Sequence, residues 1–358
     1  MAYSNLQSRR GTIEERLAER ARRAIRELRG LRRAEVEEIF ERRYCISAED
    51  VLVTNYSRSR PLAMFNPGAL KVGKRVLIFP RLIFDYHKYV SSIGVTAVDI
   101  ESLIDGEIER PLKVRIILWP EELWEFLGCE DPRVSLADDD AYMLYTGKGY
   151  YYEDERMARR DVLGFVELSP SWEVKRKGYF SIAGKGDEFV PISNKDSAFV
   201  KIRKGSSIML TRPELRGIRL CWRAEADLRD LVMREESLEP VLPPEKWEVK
   251  VGWSTNVVRL SANEHLVGWH GVLKEDLSYR DGLAVVDEDG GLLAVSNYLL
   301  SPRGLEESYG DRALVIFGDG LVRHEDRLIW IGGVSDYSIG IFITELDRAL
   351  ERLAWKGP

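Results

Sequence analysis

Carboxylates, cations, amides and a histidine recur at one kind of position in this chain, flanking pairs of short apolar strand patterns. Before the first strands stand Asn66-Pro67, Glu130-Asp131-Pro132-Arg133, Asn194-Lys195-Asp196 and Gly252-Trp253-Ser254-Thr255-Asn256. After the second strands stand Arg81, Arg212-Pro213, His270-Gly271, and Gly332-Gly333 leading to Asp336. Carboxyls and imidazoles transfer protons, and cations hold anions. Each residue also has a plain structural role: Asp131 as a turn residue before Pro132, Lys195 and Lys250 as surface ion-pair partners, His270 as a satisfied core histidine. Convergence favours function. In an antiparallel hairpin these flanks share one end, and polar groups gathered in a concavity are the default site. His87 and His324 lack such company and read as structural.

The elements that must position these groups are hairpins. A short strand, a tight polar turn and a second strand occur at Ala69–Val72 with Val76–Phe79, and at Val134–Leu136 with Tyr142–Tyr145. They recur at Ala198–Ile202 with Ser207–Leu210, at Val257–Leu260 with His265–Trp269, and at Leu321–Arg323 with Leu328–Ile331. Gly, Asn and Asp fill the turns, as their backbone angles require. The second strands begin near Val76, Tyr142, Ile208, Leu266 and Leu328, spaced 66, 66, 58 and 62 residues apart. Near-constant spacing of this length fits repeated four-stranded blades with room for loops. The expected fold is all-β, a five-bladed β-propeller over residues 51–358. Ala224–Glu236 reads either as a helical excursion or as strands with a long turn. Tyr150, Tyr151 and Tyr152 form either an aromatic binding platform or part of an exposed loop.

Residues 1–50 differ, with twelve Arg, no Lys and ten acids. Leu17, Ala21, Ala24, Leu28 and Leu31 recur at threes and fours, which predicts an amphipathic α-helical extension, with Gly30 interrupting it. A second short apolar face starts at Val36, Ile39 and Phe40. The stripe needs a cover, either the main domain or a second subunit in a homo-oligomer.

Composition bounds the rest. Apolar residues at 44% support a core and exclude general disorder. Net charge is −6, and the acids nearly cancel the N-terminal arginines, so no nucleic-acid partner is expected. No stretch approaches eighteen apolar residues and the first twenty lack a signal-peptide core, so neither membrane nor secretion is expected and the reading is cytoplasmic. Cys45, Cys129 and Cys221 lack metal-ligand spacing and read as reduced thiols. Gln occurs once, at Gln7, beside abundant Arg and Glu, a thermophile signature.

Six motifs in order resemble glycoside hydrolase family 130. They are Phe65-Asn66-Pro67-Gly68-Ala69, Gly128-Cys129-Glu130-Asp131-Pro132-Arg133, Asn194-Lys195-Asp196, Thr211-Arg212-Pro213, Trp269-His270-Gly271-Val272 with Tyr279-Arg280, and Ile331-Gly332-Gly333-Val334-Ser335-Asp336. The resemblance spans roughly residues 55–345. It implies a five-bladed propeller acting on β-mannosides, mostly by inverting phosphorolysis, in some members by hydrolysis. Asp131 would then be the general acid, acting through a sugar hydroxyl. Asn66, Arg81, Asp336 and Arg133 would hold the sugar, with Arg133 alternatively ordering a blade. Lys195, Arg212, His270, Tyr279 and Lys250 would hold phosphate. Inorganic phosphate is the co-substrate, with no cofactor and no metal implied, and the partner is an oligosaccharide. Hydrolysis on the same propeller and a non-catalytic carbohydrate-binding propeller are the alternatives. Two places depart from the family pattern: Gly252-Trp253-Ser254-Thr255-Asn256 replaces a Gly-Ala-Gly-Pro-Pro-like run, and Asp281 stands where relatives tend to be apolar.

Overall fold

The computed structural model describes residues 11–356, apart from 138–139, 154 and 185. Its strands form sheets whose members follow one another along the chain, in a propeller-like arrangement. The first sheet holds Ala63–Val72, Arg75–Ile83, Ser91–Asp99 and Leu112–Leu118, with Val51–Val53 added in parallel at its outer edge. The second holds Gly128–Ala137, Asp140–Glu153, Arg156–Leu168 and Val174–Tyr179. The third is built on Asn194–Arg203, Ser206–Leu215 and Cys221–Asp227, and the fourth on Glu248–Trp253, His265–Leu273, Tyr279–Val286 and Leu292–Ser296. In the last sheet Ile316–His324, Arg327–Val334 and Ser338–Glu345 are joined by the N-terminal strand Glu41–Ile46.

The first strands face one another in sequence. Ala63–Val72 packs between Ile316–His324 and Gly128–Ala137, and the latter packs beside Asn194–Arg203. Apolar contacts between the sheets form the core, with Trp222, Trp253, Trp269 and Trp330 fully buried. All five expected hairpins form. The fourth differs in detail: only Val258–Arg259 pairs within the expected first strand, and Glu248–Trp253 pairs with the same neighbour. The break falls on Ser254–Val257, whose polar side chains turn to the interior; Asn256 hydrogen-bonds both ways with the backbone of Leu321. Ala224–Glu236 resolves into strands around a turn, followed by a short 3-10 turn from Glu235.

The N-terminal helix runs Ile13–Glu27. It starts at Thr12, whose hydroxyl accepts from the Glu15 amide while the Glu15 carboxylate accepts from the Thr12 amide. Ile13, Leu17, Ala18 and Ala21 are buried in the core cluster of the third sheet. Arg16 reaches Glu235 at 2.6 Å. Most of the apolar stripe is therefore covered within the chain. The second apolar face is not helical. Val36 makes a parallel bridge with Tyr298, Ile39 donates its amide to Leu299, and the chain then enters the strand Glu41–Ile46. That strand lies inside the stretch set apart by composition, so the last sheet begins ahead of residue 51. Its arginines are compatible with a strand because it lies at a sheet edge, where charge is tolerated. Among the described residues no helix is long and apolar enough to cross a membrane. Cys129 and Cys221 are buried, Cys45 is half-buried, and none is in a disulfide.

Candidate active site

A repeated backbone defect builds the site. Strand register slips between Phe65 and Gly68, between Glu130 and Arg133, between Lys195 and Ala198, and between Gly318 and Gly320. In the first three slips Asn66, Asp131 and Asp196 take positive φ, at 43°, 55° and 53°. Asn and Asp tolerate this region better than most residues, and bulges re-aim side chains. Each bulge turns an amide or carboxylate towards a shared interior. This explains why the motifs carry Asn-Pro, Asp-Pro and Asp-Ser at equivalent places.

These residues wall a cavity of about 250 Å³. Of the ten residues singled out from the sequence, nine line it: Asn66, Arg81, Asp131, Lys195, Arg212, Lys250, His270, Tyr279 and Asp336. Arg133 does not. Its guanidinium donates to the carbonyls of Ser254 and Asp131 and meets Asp319 at 2.8 Å, while lying over the Phe317 ring. It joins three sheets and is engaged by protein. Sequence reasoning missed Tyr89, Lys148 and Arg312, which also line the cavity. The three tyrosines at 150–152 lie outside it: Tyr150 packs near Phe126, Tyr151 against Tyr179, and Tyr152 is exposed.

One side of the cavity is organised by Arg81. Its guanidinium meets Glu130 at 2.8 Å and Asp131 at 3.2 Å and stacks over Phe65 and Tyr89. Asp131 also accepts from the Asn66 amide at 2.9 Å. Burial opposes ionisation of Glu130, but Arg81, Lys195 and Lys148 outweigh it and hold the carboxyl at about 2. Asp336 is pushed up to about 6, because burial and the nearby Asp131 and Glu130 outweigh Arg81 and Arg312.

The other side gathers cations. Lys195 meets Asp161 at 2.9 Å and Glu130 at 3.6 Å. The Arg212 Nε donates to Asp196, whose carboxyl is held low against burial by Arg212, Arg133 and Lys250. Lys250 donates to the Tyr279 hydroxyl at 2.7 Å. Burial lowers the Lys250 ammonium, and Lys250 with Arg312 lowers the Tyr279 phenol although burial opposes it. The His270 ring stacks on Tyr279, with centroids 5.2 Å apart. Burial drives its imidazole well below the ordinary range, aided by Lys250, Arg212 and Arg133 and opposed by Asp196. Gly252 makes room here: a Cβ would collide with the Asp196 carboxylate and the His270 ring.

Six cationic side chains (Arg81, Lys148, Lys195, Arg212, Lys250, Arg312) face four carboxyls (Glu130, Asp131, Asp196, Asp336) in this cavity. Asp161 neutralises part of this excess from outside the lining, and the net positive charge that remains suits an anion. Among the described residues Asn66 Oδ1, Arg81 Nε and His270 Nε2 are buried without a hydrogen-bond partner, which leaves capacity for a polar ligand. A basic groove of about 390 Å³, lined by Arg159, Arg160 and Arg219, adjoins it through Lys195, Arg212 and Lys250. A larger cavity, about 990 Å³, is lined by the hairpin-turn ends, including Leu136, Ile202 and Gly205, and gathers no comparable set of carboxyls.

Residues 30–354 match the Glyco_hydro_130 family model, described as beta-1,4-mannooligosaccharide phosphorylase. A 1,2-beta-oligomannan phosphorylase from Thermoanaerobacter sp. (strain X514) is 27% identical over 269 residues, which is 73% of this chain and 81% of the relative. A beta-1,2-mannobiose phosphorylase from the same organism is 28% identical over 267 residues, 73% of this chain and 80% of that one. Among solved structures, the beta-1,2-mannobiose phosphorylase from Listeria innocua superposes with a TM-score of 0.65 at 18% identity, covering 86% of this chain and 96% of its own.

Proposed function

The chain belongs to glycoside hydrolase family 130 and is an enzyme acting on glycosides, and from that premise we propose that it cleaves β-linked mannosides with inorganic phosphate, releasing mannose 1-phosphate with inversion. The observation that carries this reading is the excess of cationic over carboxyl side chains lining the cavity, in which Lys195, Arg212 and Lys250 accompany His270 and Asp131 pairs with Arg81. Phosphorolysis needs both groupings. A phosphate oxygen forms a bond to the anomeric carbon while the glycosidic C–O bond breaks, and the leaving oxygen takes a proton. Asp131 supplies that proton, by way of a sugar hydroxyl. The carboxylate it becomes is already received by Asn66 and Arg81, so its negative charge forms where donors stand. Asn66, Arg81 and Asp336 hold the sugar whose bond breaks. No cofactor or metal takes part.

Hydrolysis on the same scaffold needs a carboxylate aimed at water and has no use for a dianion site. The carboxyls on the cationic side argue against it: Asp196 is engaged by Arg212, and Asp161 by Lys195. The linkage is proposed as β-1,2, following the named activity of the two relatives near 27% identity. Each sheet is read as one blade of a five-bladed propeller, with Glu41–Ile46 closing the last.

The test is incubation with β-1,2- and β-1,4-mannobiose, with and without phosphate. Mannose 1-phosphate formed only with phosphate is the expected result. Equal cleavage without phosphate would make the enzyme a hydrolase.

A further inference from the structure

His270 is attached to a buried hydrogen-bond chain that leads away from the cavity. Ser254 Oγ lies 3.0 Å from His270 Nδ1 and 3.4 Å from Asp281 Oδ1. All three residues are fully buried. Among the described residues Asp281 forms no ion pair, and its second carboxyl oxygen has no hydrogen-bond partner. At the other end, His270 Nε2 also lacks a hydrogen-bond partner and stands 3.6 Å from an Asp196 oxygen, on the cavity side.

Two proton arrangements satisfy this geometry without leaving a carboxyl proton unpaired; a third, with the proton on Asp281 Oδ2, Ser254 donating to Oδ1 and His270 Nδ1–H donating to Ser254, strands that proton, since Oδ2 has no partner among the described residues. In the first of the two, Asp281 is ionised, Ser254 donates to it, and His270 Nδ1–H donates to Ser254. Nε2 is then a bare acceptor facing the cavity. In the other, Asp281 is protonated and donates to Ser254, and Ser254 donates to Nδ1. Nε2 then carries the proton. The first buries a carboxylate with no cation beside it, which costs far more than protonation. Burial does push the Asp281 carboxyl well up, and Glu38 adds to this.

The geometry points to Asp281 and Ser254 as positioning residues that fix His270 as a neutral imidazole with its proton on Nε2, aimed at the anion-binding side of the cavity. The groups facing the ring from neighbouring elements agree. Arg212, Lys250 and Arg133 disfavour an imidazolium, while Tyr279 stacks on one face and Phe317 meets the ring edge-on. Asp196 alone favours the charged ring, and its carboxylate is already engaged by Arg212. A neutral N–H donor lets this position bind an anion across the pH range in which free histidine loses its charge. That the anion is phosphate rests on the function proposed above; the tautomer does not.

The chain has four histidines, so a ¹⁵N-histidine NMR spectrum of the whole protein is simple to read. His270→Gln assigns the signal. The expected pattern at neutral pH is an unprotonated, hydrogen-bonded Nδ1 with a protonated Nε2. The reverse tautomer, or an imidazolium, overturns the inference. Kinetics supply the second arm. Asp281→Asn keeps a donor for Ser254 and should leave the phosphate KM within about twofold of wild type. Asp281→Leu removes it and should raise that KM about tenfold, the loss of one hydrogen bond, with little change in kcat. Ser254→Ala gives the same readout if the leucine variant does not fold. A phosphate KM unchanged in both Asp281→Leu and Ser254→Ala overturns the inference. An expected NMR pattern in an enzyme indifferent to phosphate would instead sink the proposed reaction and leave the tautomer standing.

Discussion

Arg32 with Glu248, and Arg81 with Glu130 and Asp131, are both buried arginine–carboxylate clusters, but of these two only the second is at the cavity. Arg32 grips Glu248 at 2.6 Å, lies over the Trp269 ring, and donates to the Pro243 carbonyl. Tyr298 donates to Glu248 as well, and Glu245 receives the backbone amides of Gly30, Leu31 and Arg32. Arg81, with Glu130 and Asp131, looks similar by distance alone. The difference lies in what each leaves over. Among the described residues, both carboxylates around Arg32 are occupied by one guanidinium, a phenol and amides of the same chain, and a single donor, Arg32 Nε, is left over. Around Arg81 and across the cavity, cations outnumber carboxyls and several buried polar atoms have no partner. An ion pair whose charges balance ties segments together, whereas one set in a cavity with cations in excess is prepared for an anionic ligand. Arg133 shows that the distinction is not set by position: it sits beside Asp131 yet behaves like Arg32.

The largest expected effect is on the open cluster. Asp131→Asn should lower kcat by about two to four orders of magnitude, since an amide cannot supply the proton. Its melting temperature should stay close to that of wild type, because Glu130 still pairs with Arg81. Retained turnover at more than a tenth of the wild-type rate would remove Asp131 as the acid.

Arg32→Ala tests the closed cluster. It strands Glu248 in the core without its cation, so urea denaturation should show a loss of about 3–5 kcal/mol. Folded enzyme should keep its phosphate KM. Replacing the pair together, Arg32→Met with Glu248→Leu, should recover much of the loss. If Arg32→Ala instead changed phosphate binding while stability held, the two clusters would not differ in the way argued.

Asp336 sharpens the comparison through pH. Its carboxyl titrates at about 6 in the fold against an ordinary 3.8, so the folded state holds the proton more tightly than the unfolded chain. The associated stability is full below the ordinary value and is lost as pH rises through about 6, a loss of up to about 3 kcal/mol. Glu130 runs oppositely, its contribution being lost only as pH falls from 4.5 towards 2. The difference in stability between wild type and Asp336→Asn should therefore fall between about pH 4 and 6. A flat difference would show that Asp336 is solvated like a surface carboxyl.

Much of the site was legible because its residues occupy a local backbone feature. Asn66, Asp131 and Asp196 sit at bulges, and bulges leave a trace in sequence as Asn or Asp in the middle of an apolar run. The hairpin flanks Arg81, Arg212 and His270 follow from counting along the second strands. Tyr89, Lys148 and Arg312 were not legible. Tyr89 lies between the second and third strands of the first sheet, Lys148 lies far along a long strand, and Arg312 precedes the last sheet. Only tertiary packing brings them to the cavity. The strand Glu41–Ile46 was hidden for another reason: its pairing partner lies about 300 residues away, and its register slips between Arg42 and Tyr44, which blurs the period of two.

The smallest expected effects fall on the anion side, where each residue supplies one contact among several. His270→Ala removes a single donor, and its phosphate KM should rise about tenfold, with kcat at saturating phosphate little changed. Arg212→Ala should cost somewhat more. It removes a cation and also frees the Asp196 carboxylate, which then faces the incoming dianion unneutralised. A rise of about 10- to 150-fold in phosphate KM is expected, matching the loss of a charged hydrogen bond. Adding Asp196→Asn should restore part of that, because the repulsion goes with the charge; this separates loss of a contact from gain of a repulsion. Should Arg212→Ala lower stability by several kcal/mol and leave phosphate KM untouched, Arg212–Asp196 would belong with Arg32–Glu248, and the anion would have to be held by Lys195, Lys250, His270 and Tyr279 without it.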